Sequence, residues 1–156
     1  MRRKDREVTE PDRIEEIICR CSCCRIGFLD ETEIYIVPLN FGYEKRAGKH
    51  IFYFHGAKAG RKYELAVKNP KVGFELDTGF VLKSAEEACG HSAAYQSVIG
   101  NGVIEIVKEA DEKQQGLQLL MEHYTGKCNW KIKKDNLEHT AVFKLTATQI
   151  SVKEHR

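Results

Sequence analysis

Ile14, Ile17, Ile18 and Cys21 recur at i, i+3, i+4 and i+7, which predicts an amphipathic helix. Thr9, Pro11 and Asp12 stand where a cap, an early proline and an acidic first turn would open it. Beyond Cys21 the period falls to two. Arg25–Leu29, Glu33–Tyr43 and His50–His55 read as successive strands, separated by turns at Asp30-Glu31 and Arg46-Ala47-Gly48. Lys58–Lys68 reads as a short helix with Ala59, Tyr63, Ala66 and Val67 on one side, stopped by Asn69-Pro70. Val72, Phe74 and Leu76 alternate with polar or small residues as in a half-buried strand, whereas residues 78–93 carry no strong period and read as a loop. Tyr95–Val107 is a strand with a bend or bulge expected at Gly100 and Gly102. Asp111–Thr125 is a helix with a Leu117, Leu120, Met121 and Tyr124 stripe, ended by Gly126. Its dipole accounts for a histidine, His123, in the last turn. Thr140–Val152 is a final strand whose apolar phase slips between Ala147 and Ile150.

This order predicts a mainly β protein: a six-stranded antiparallel barrel with flanking helices, in which closure hides the strand edges. A parallel doubly wound sheet is excluded by the hairpin-length turn between the second and third strands. Residues 1–156 read as one domain, of which 1–8, with Arg2, Arg3, Lys4 and Arg6, form a basic arm.

Composition narrows the function classes. Lys and Arg number 25 against 23 Asp and Glu, a net charge of +2 that gives no electrostatic case for a nucleic-acid partner. No apolar run is long enough to span a membrane, and the charged start is no signal peptide, so a cytoplasmic location is expected. The six cysteines are then expected as thiols. Cys21 and Cys24 have CxxC spacing, but no second pair at similar spacing completes a zinc site, and no metal is expected.

Three segments carry chemistry. In the apolar run 34–43, Pro38 cannot donate to a ladder, so pairing opens there or the strand lies at an edge. Either way the main-chain groups of Val37, Leu39 and Asn40 are left seeking partners, which a flat heteroaromatic ring with alternating donors and acceptors supplies. The alternative is a plain edge-strand proline that binds nothing. Residues 54–62, FHGAKAGRK, join a strand to a helix. Free N–H groups, small residues and clustered cations make either a phosphate cradle or an exposed basic helix after a glycine turn. No Walker spacing is present. In 95–102, Ser97 is placed to donate to a ligand oxygen and the glycines allow close approach.

Together these segments, with MRRKDR at the start, NPKVGFELD at 69–77, LQLLMEHYTG at 117–126 and TAVFKLTATQIS at 140–151, resemble the FMN-binding split-barrel proteins. Within that superfamily of pyridoxamine 5′-phosphate oxidase, the chain is similar to the branch that includes the nitroimidazole-resistance flavoproteins. The resemblance implies a six-stranded split barrel forming a homodimer, with FMN in clefts at the subunit interface. It implies that the main chain of Val37, Pro38, Leu39, Asn40 and Phe41 meets the ring edge. His55, Gly56, Ala57, Gly60, Arg61 and above all Lys62 would hold the phosphate, and Ser97 would line the same cleft. Ala57 stands where relatives often carry a hydroxyl, which shifts the load to backbone N–H groups and to Arg61 or Lys62. His55 is the one candidate for a catalytic role near the flavin, set against a simple structural histidine. The activity implied is an FMN-dependent oxidoreductase passing electrons from a reduced nicotinamide to a nitroaromatic or quinone; the alternative is a non-catalytic module holding flavin or haem.

Overall fold

The computed structural model describes residues 3–156, and Arg2 of the basic arm lies outside the described residues. A 3-10 turn over Lys4–Arg6 leads into a two-residue strand, β1 (Glu7–Val8). Next come α1 (Pro11–Arg20), β2 (Cys24–Asp30), β3 (Glu33–Leu39), β4 (Gly42–Arg46) and β5 (Lys49–Gly56). After α2 (Arg61–Lys68) run two long strands, β6 (Lys71–Lys83) and β7 (Ser92–Ile106). Then follow α3 (Ala110–Thr125), a short α4 (Lys134–His139) and β8 (Ala141–His155).

All pairings are antiparallel, in the order β3-β2-β6-β7-β8-β5-β4, with β1 added on β8. Phe28, Phe74, Val98, Leu145 and Phe52 come from five neighbouring strands yet share one core. The sheet therefore curls round its own apolar face, and Ile17 and Ile18 of α1 pack into the same core. On the outside, α3 covers Ile51, Tyr53, Val107 and Val142. The architecture is mainly β and antiparallel with flanking helices, as the pattern predicts.

Among the described residues the strands number eight rather than six. The single strand expected over 33–43 is two, β3 and β4, which lie on opposite edges of the sheet. The barrel is split between them. Residues 78–93, expected as a loop, largely continue β6 and β7 into a projecting hairpin that pairs Val81 with Ala94 and Lys83 with Ser92. Both faces of this arm meet solvent, with Phe80, Val81 and Leu82 exposed, so no period marks it. The basic arm joins the sheet through Glu7 and Val8. The bulge is real: Thr148 is extruded between the pairs Gly102–Ala147 and Asn101–Gln149. Among the described residues no helix is long and apolar enough to cross a membrane.

Candidate functional site

β3 pairs with β2 alone, so its other side is an open edge. The register with β2 runs unbroken through Arg25–Pro38 and ends at Cys24–Leu39. Pro38 thus lies on an edge strand, where proline is tolerated, and the main-chain groups on the open side of β3 have no ladder partner. Asn40 and Phe41 then carry the chain from one edge of the sheet to the other. Asn40 and Pro38 are exposed, while Val37 and Leu39 are half-buried against the core. Phe41 differs: it is wholly buried, and its N–H is already donated to the Tyr124 hydroxyl at 3.2 Å. Its side chain is part of the core.

The cradle is built at the far end of β5. Gly60, at φ +96°, caps α2, so the helix starts at Arg61 rather than Lys58. The first helical bond runs from Glu64 N–H to Gly60 O, leaving the N–H groups of Arg61, Lys62 and Tyr63 without partners inside the helix. The cations divide. Arg61 is committed to Asp30, with Nε donating to Oδ2 at 2.8 Å, and its guanidinium covers the Tyr35 ring at 4.4 Å. Lys62 has no carboxylate partner among the described ion pairs. Its ammonium donates to the His55 carbonyl at 3.2 Å and lies 4.9 Å from the Phe143 ring centre. Partial burial pushes the Lys62 amine below its ordinary range. Gly56 makes room for this seat, because a Cβ there would stand 2.7 Å from Lys62 Nζ.

His55 contributes its carbonyl to this seat, while its side chain is largely exposed. Partial desolvation first, then the Lys62 charge, hold the imidazole below its usual range. Ala57 and Gly60 are exposed beside it. The first turn of α2 thus reaches β3 through Arg61 and Tyr35, and β5 and β8 through Lys62. From Tyr35 to Pro38 is three residues, about 10 Å along a strand. One elongated ligand can bridge the two features.

Ser97 is not brought to this place within a protomer. Phe143, beside Lys62, pairs with Ile106, and Ser97 lies nine residues back along β7, on the order of 30 Å of strand. Ser97 sits between Asp77 and Lys153 on the outer sheet face. The cysteines are all free. Burial pushes the Cys21 thiol up to about 12 and Cys24 higher still, so both remain protonated packing groups. Among the described residues no group of three or more His, Cys, Asp or Glu side chains is placed to hold a metal ion.

Residues 10–154 match the sequence profile of the pyridoxamine 5′-phosphate oxidase family. The chain belongs to that family. No curated protein sequence matches this family member significantly. Among solved structures it is similar to a proposed 5-nitroimidazole antibiotic resistance protein of Bacteroides thetaiotaomicron: 29% identical, TM-score 0.81, covering 95% of this chain and 86% of the other. The flavocytochrome Anf3 of Azotobacter vinelandii shares the fold at 18% identity and TM-score 0.79, covering 100% and 72% of the two chains. An FAD- and heme-binding protein of Mycobacterium smegmatis shares it at 16% identity and TM-score 0.80, over 97% and 74%.

Sequence reasoning missed three residues around this candidate site, Asp30, Phe143 and Tyr124. Asp30 reads in sequence only as a turn residue, yet it takes Arg61 out of play. Phe143 supplies the ring beneath Lys62. His123, in the last turn of α3 as expected, also meets the Cys21 carbonyl at 2.8 Å, and the Tyr124 hydroxyl accepts from Phe41 N–H across 83 residues. A carboxylate closing the turn before an exposed strand was the one available signal; the others leave no local pattern.

Proposed function

We propose that the protein is an FMN-dependent oxidoreductase, with the phosphate seated at Lys62 and the ring edge along Val37–Asn40. The observation that carries this reading is the Lys62 ammonium. It is half-buried, has no carboxylate partner among the described ion pairs, and belongs to the first turn of α2, whose N–H groups lack partners inside the helix. Partial burial without a counter-charge lowers its proton affinity, and a phosphate supplies the missing charge. His55, Gly56, Ala57 and Gly60 let backbone and phosphate approach; Arg61, neutralised by Asp30, steers the ligand less than Lys62 does. FMN, when bound, supplies two-electron chemistry between a reduced nicotinamide and a nitroaromatic or quinone. The chain's own part is to hold the ring edge, fix the phosphate and limit access of water. His55, beside the cradle, is the candidate catalytic side chain in this reading, and desolvation with the Lys62 charge favours its neutral form.

The site is completed in a homodimer. The outer sheet face carries Ile34, Ile36, Ile99 and Val103, 63%, 62%, 52% and 41% exposed, around Gly27 and Gly73. An apolar face of this kind on a curled sheet fits a second copy of itself. Ser97, on that same outer face, then serves the partner's cleft rather than its own. Free cysteines and the absence of an excess of either charge fit a cytoplasmic protein without a nucleic-acid partner.

The visible spectrum of freshly purified protein tests the reading. Flavin bands, followed by turnover of NADH or NADPH faster than free FMN achieves, are expected. A Soret band instead, or bound flavin without turnover, would establish the non-catalytic module in its place.

A further inference from the structure

The two residues that cross from β3 to β4, Asn40 and Phe41, belong to no ladder, yet Phe41 and the following Gly42 are held by the C-terminal half of α3. Gly42 is pressed on the helix backbone so closely that a Cβ would stand 2.4 Å from Leu120 N. Phe41 N–H donates to the Tyr124 hydroxyl at 3.2 Å, and that hydroxyl donates onward to the Ser22 carbonyl at 2.8 Å. The His123 ring lies 4.3 Å from the Phe41 ring, and its Nε2 meets the Cys21 carbonyl at 2.8 Å. One helical turn therefore ties the crossing to the α1–β2 link. The Phe41 amide is fully buried, and only the Tyr124 hydroxyl satisfies it.

We infer that Tyr124 is a positioning residue for the cofactor: it fixes the height of the crossing and so aims the adjoining main chain of Leu39 and Asn40 at the flavin ring edge. The inference rests on the proposed flavin site. Donors held in place favour charge on the reduced ring, because they need no rearrangement when that charge develops. Losing the hydroxyl leaves the Phe41 amide unpaired and lets the crossing drift. Reduced flavin then loses more binding than oxidised flavin does. A tenfold difference between the two corresponds to a midpoint about 30 mV lower for a two-electron couple. His123 serves the same clamp through its ring and the Cys21 carbonyl, but does not touch the Phe41 amide.

The experiment compares full-length wild type, Tyr124→Phe and His123→Phe. Amide exchange by NMR is followed without flavin; FMN affinity and midpoint potential are measured with it. The expected wild-type result is slow exchange at Phe41, although it lies outside the sheet. Tyr124→Phe is expected to speed that exchange, weaken FMN about tenfold and lower the midpoint by about 30 mV. His123→Phe, which keeps a ring on Phe41, is expected to lower thermal stability while leaving the midpoint in place. Fast exchange at Phe41 in the wild type, or an unmoved midpoint in Tyr124→Phe, overturns the inference while the flavin reading stands. Failure of wild type itself to bind FMN overturns both, with the exchange data still showing whether the clamp exists.

Discussion

An aromatic face and a carbonyl oxygen both attract a cation, but neither supplies the counter-charge that a partly desolvated ammonium lacks. Lys62 is in that position, and its depressed affinity for protons follows from partial burial. Lys62→Glu puts a carboxylate where the phosphate is to sit. Loss of a charge-assisted bond is worth about 1.5–3 kcal/mol, so FMN binding should weaken roughly 10- to 100-fold or more. Titration of the apoprotein with FMN checks this; an unchanged affinity places the phosphate elsewhere. Gly56→Ala is the subtler case. The added methyl group meets only the far end of a flexible side chain, 2.7 Å away, so the fold survives while the ammonium is displaced. A melting temperature near wild type together with a severalfold weaker FMN affinity is the expected pair of results. Gly56 was legible from sequence as a small residue in a strand-to-helix turn; that it makes room for one particular ammonium was not.

The elements are joined by a few polar ties, and one of these makes stability depend on pH. Glu154 of β8 accepts from Arg13 of α1, from Gln96 Nε2 at 2.8 Å and from Arg156. Arg13 above all holds its carboxyl down at about 2. A carboxylate depressed by folding stabilises the native state above its unfolded pKa, about 4.3, and that contribution fades as pH falls toward the folded value. Wild type should therefore lose melting temperature between about pH 5 and pH 2.5 by more than Glu154→Gln does over the same range. Calorimetry at a series of pH values reads the difference, and parallel curves would show that the α1–β8 tie carries no stability. α1, α2, α3 and most strands are legible in sequence because each buries one face, which imposes a period on the chain; α4 buries no residue and leaves none. The hairpin arm over 78–93 has no buried face, and the strand switch after Leu39 is decided by which edge each half joins; neither leaves a period.

At the scale of the whole molecule, the proposed homodimer is assigned to one face of the sheet. Ile36→Asp places a charge in the middle of the exposed apolar face, opposite Gly27 and Gly73. Burying an unpaired carboxylate is far more costly than exposing one, so the variant should elute as a monomer and lose flavin. Light scattering with absorbance at the flavin bands measures both at once, and a flavin-loaded Ile36→Asp dimer would move the interface elsewhere. The chain's own order of residues determined that this is an antiparallel, mainly β fold, where its helices lie, that Pro38 demands an open side, and that a cationic glycine turn follows β5. These are consequences of local sterics and of side-chain spacing, which act between neighbours. Only the tertiary structure decided which cation is free: Asp30 neutralises Arg61 across 31 residues and leaves Lys62 alone. It alone placed Phe41 in the core under Tyr124 and set Ser97 far along β7 from the cradle. Contacts between distant segments depend on how the sheet curls and where its edges fall, and no spacing along the chain encodes that.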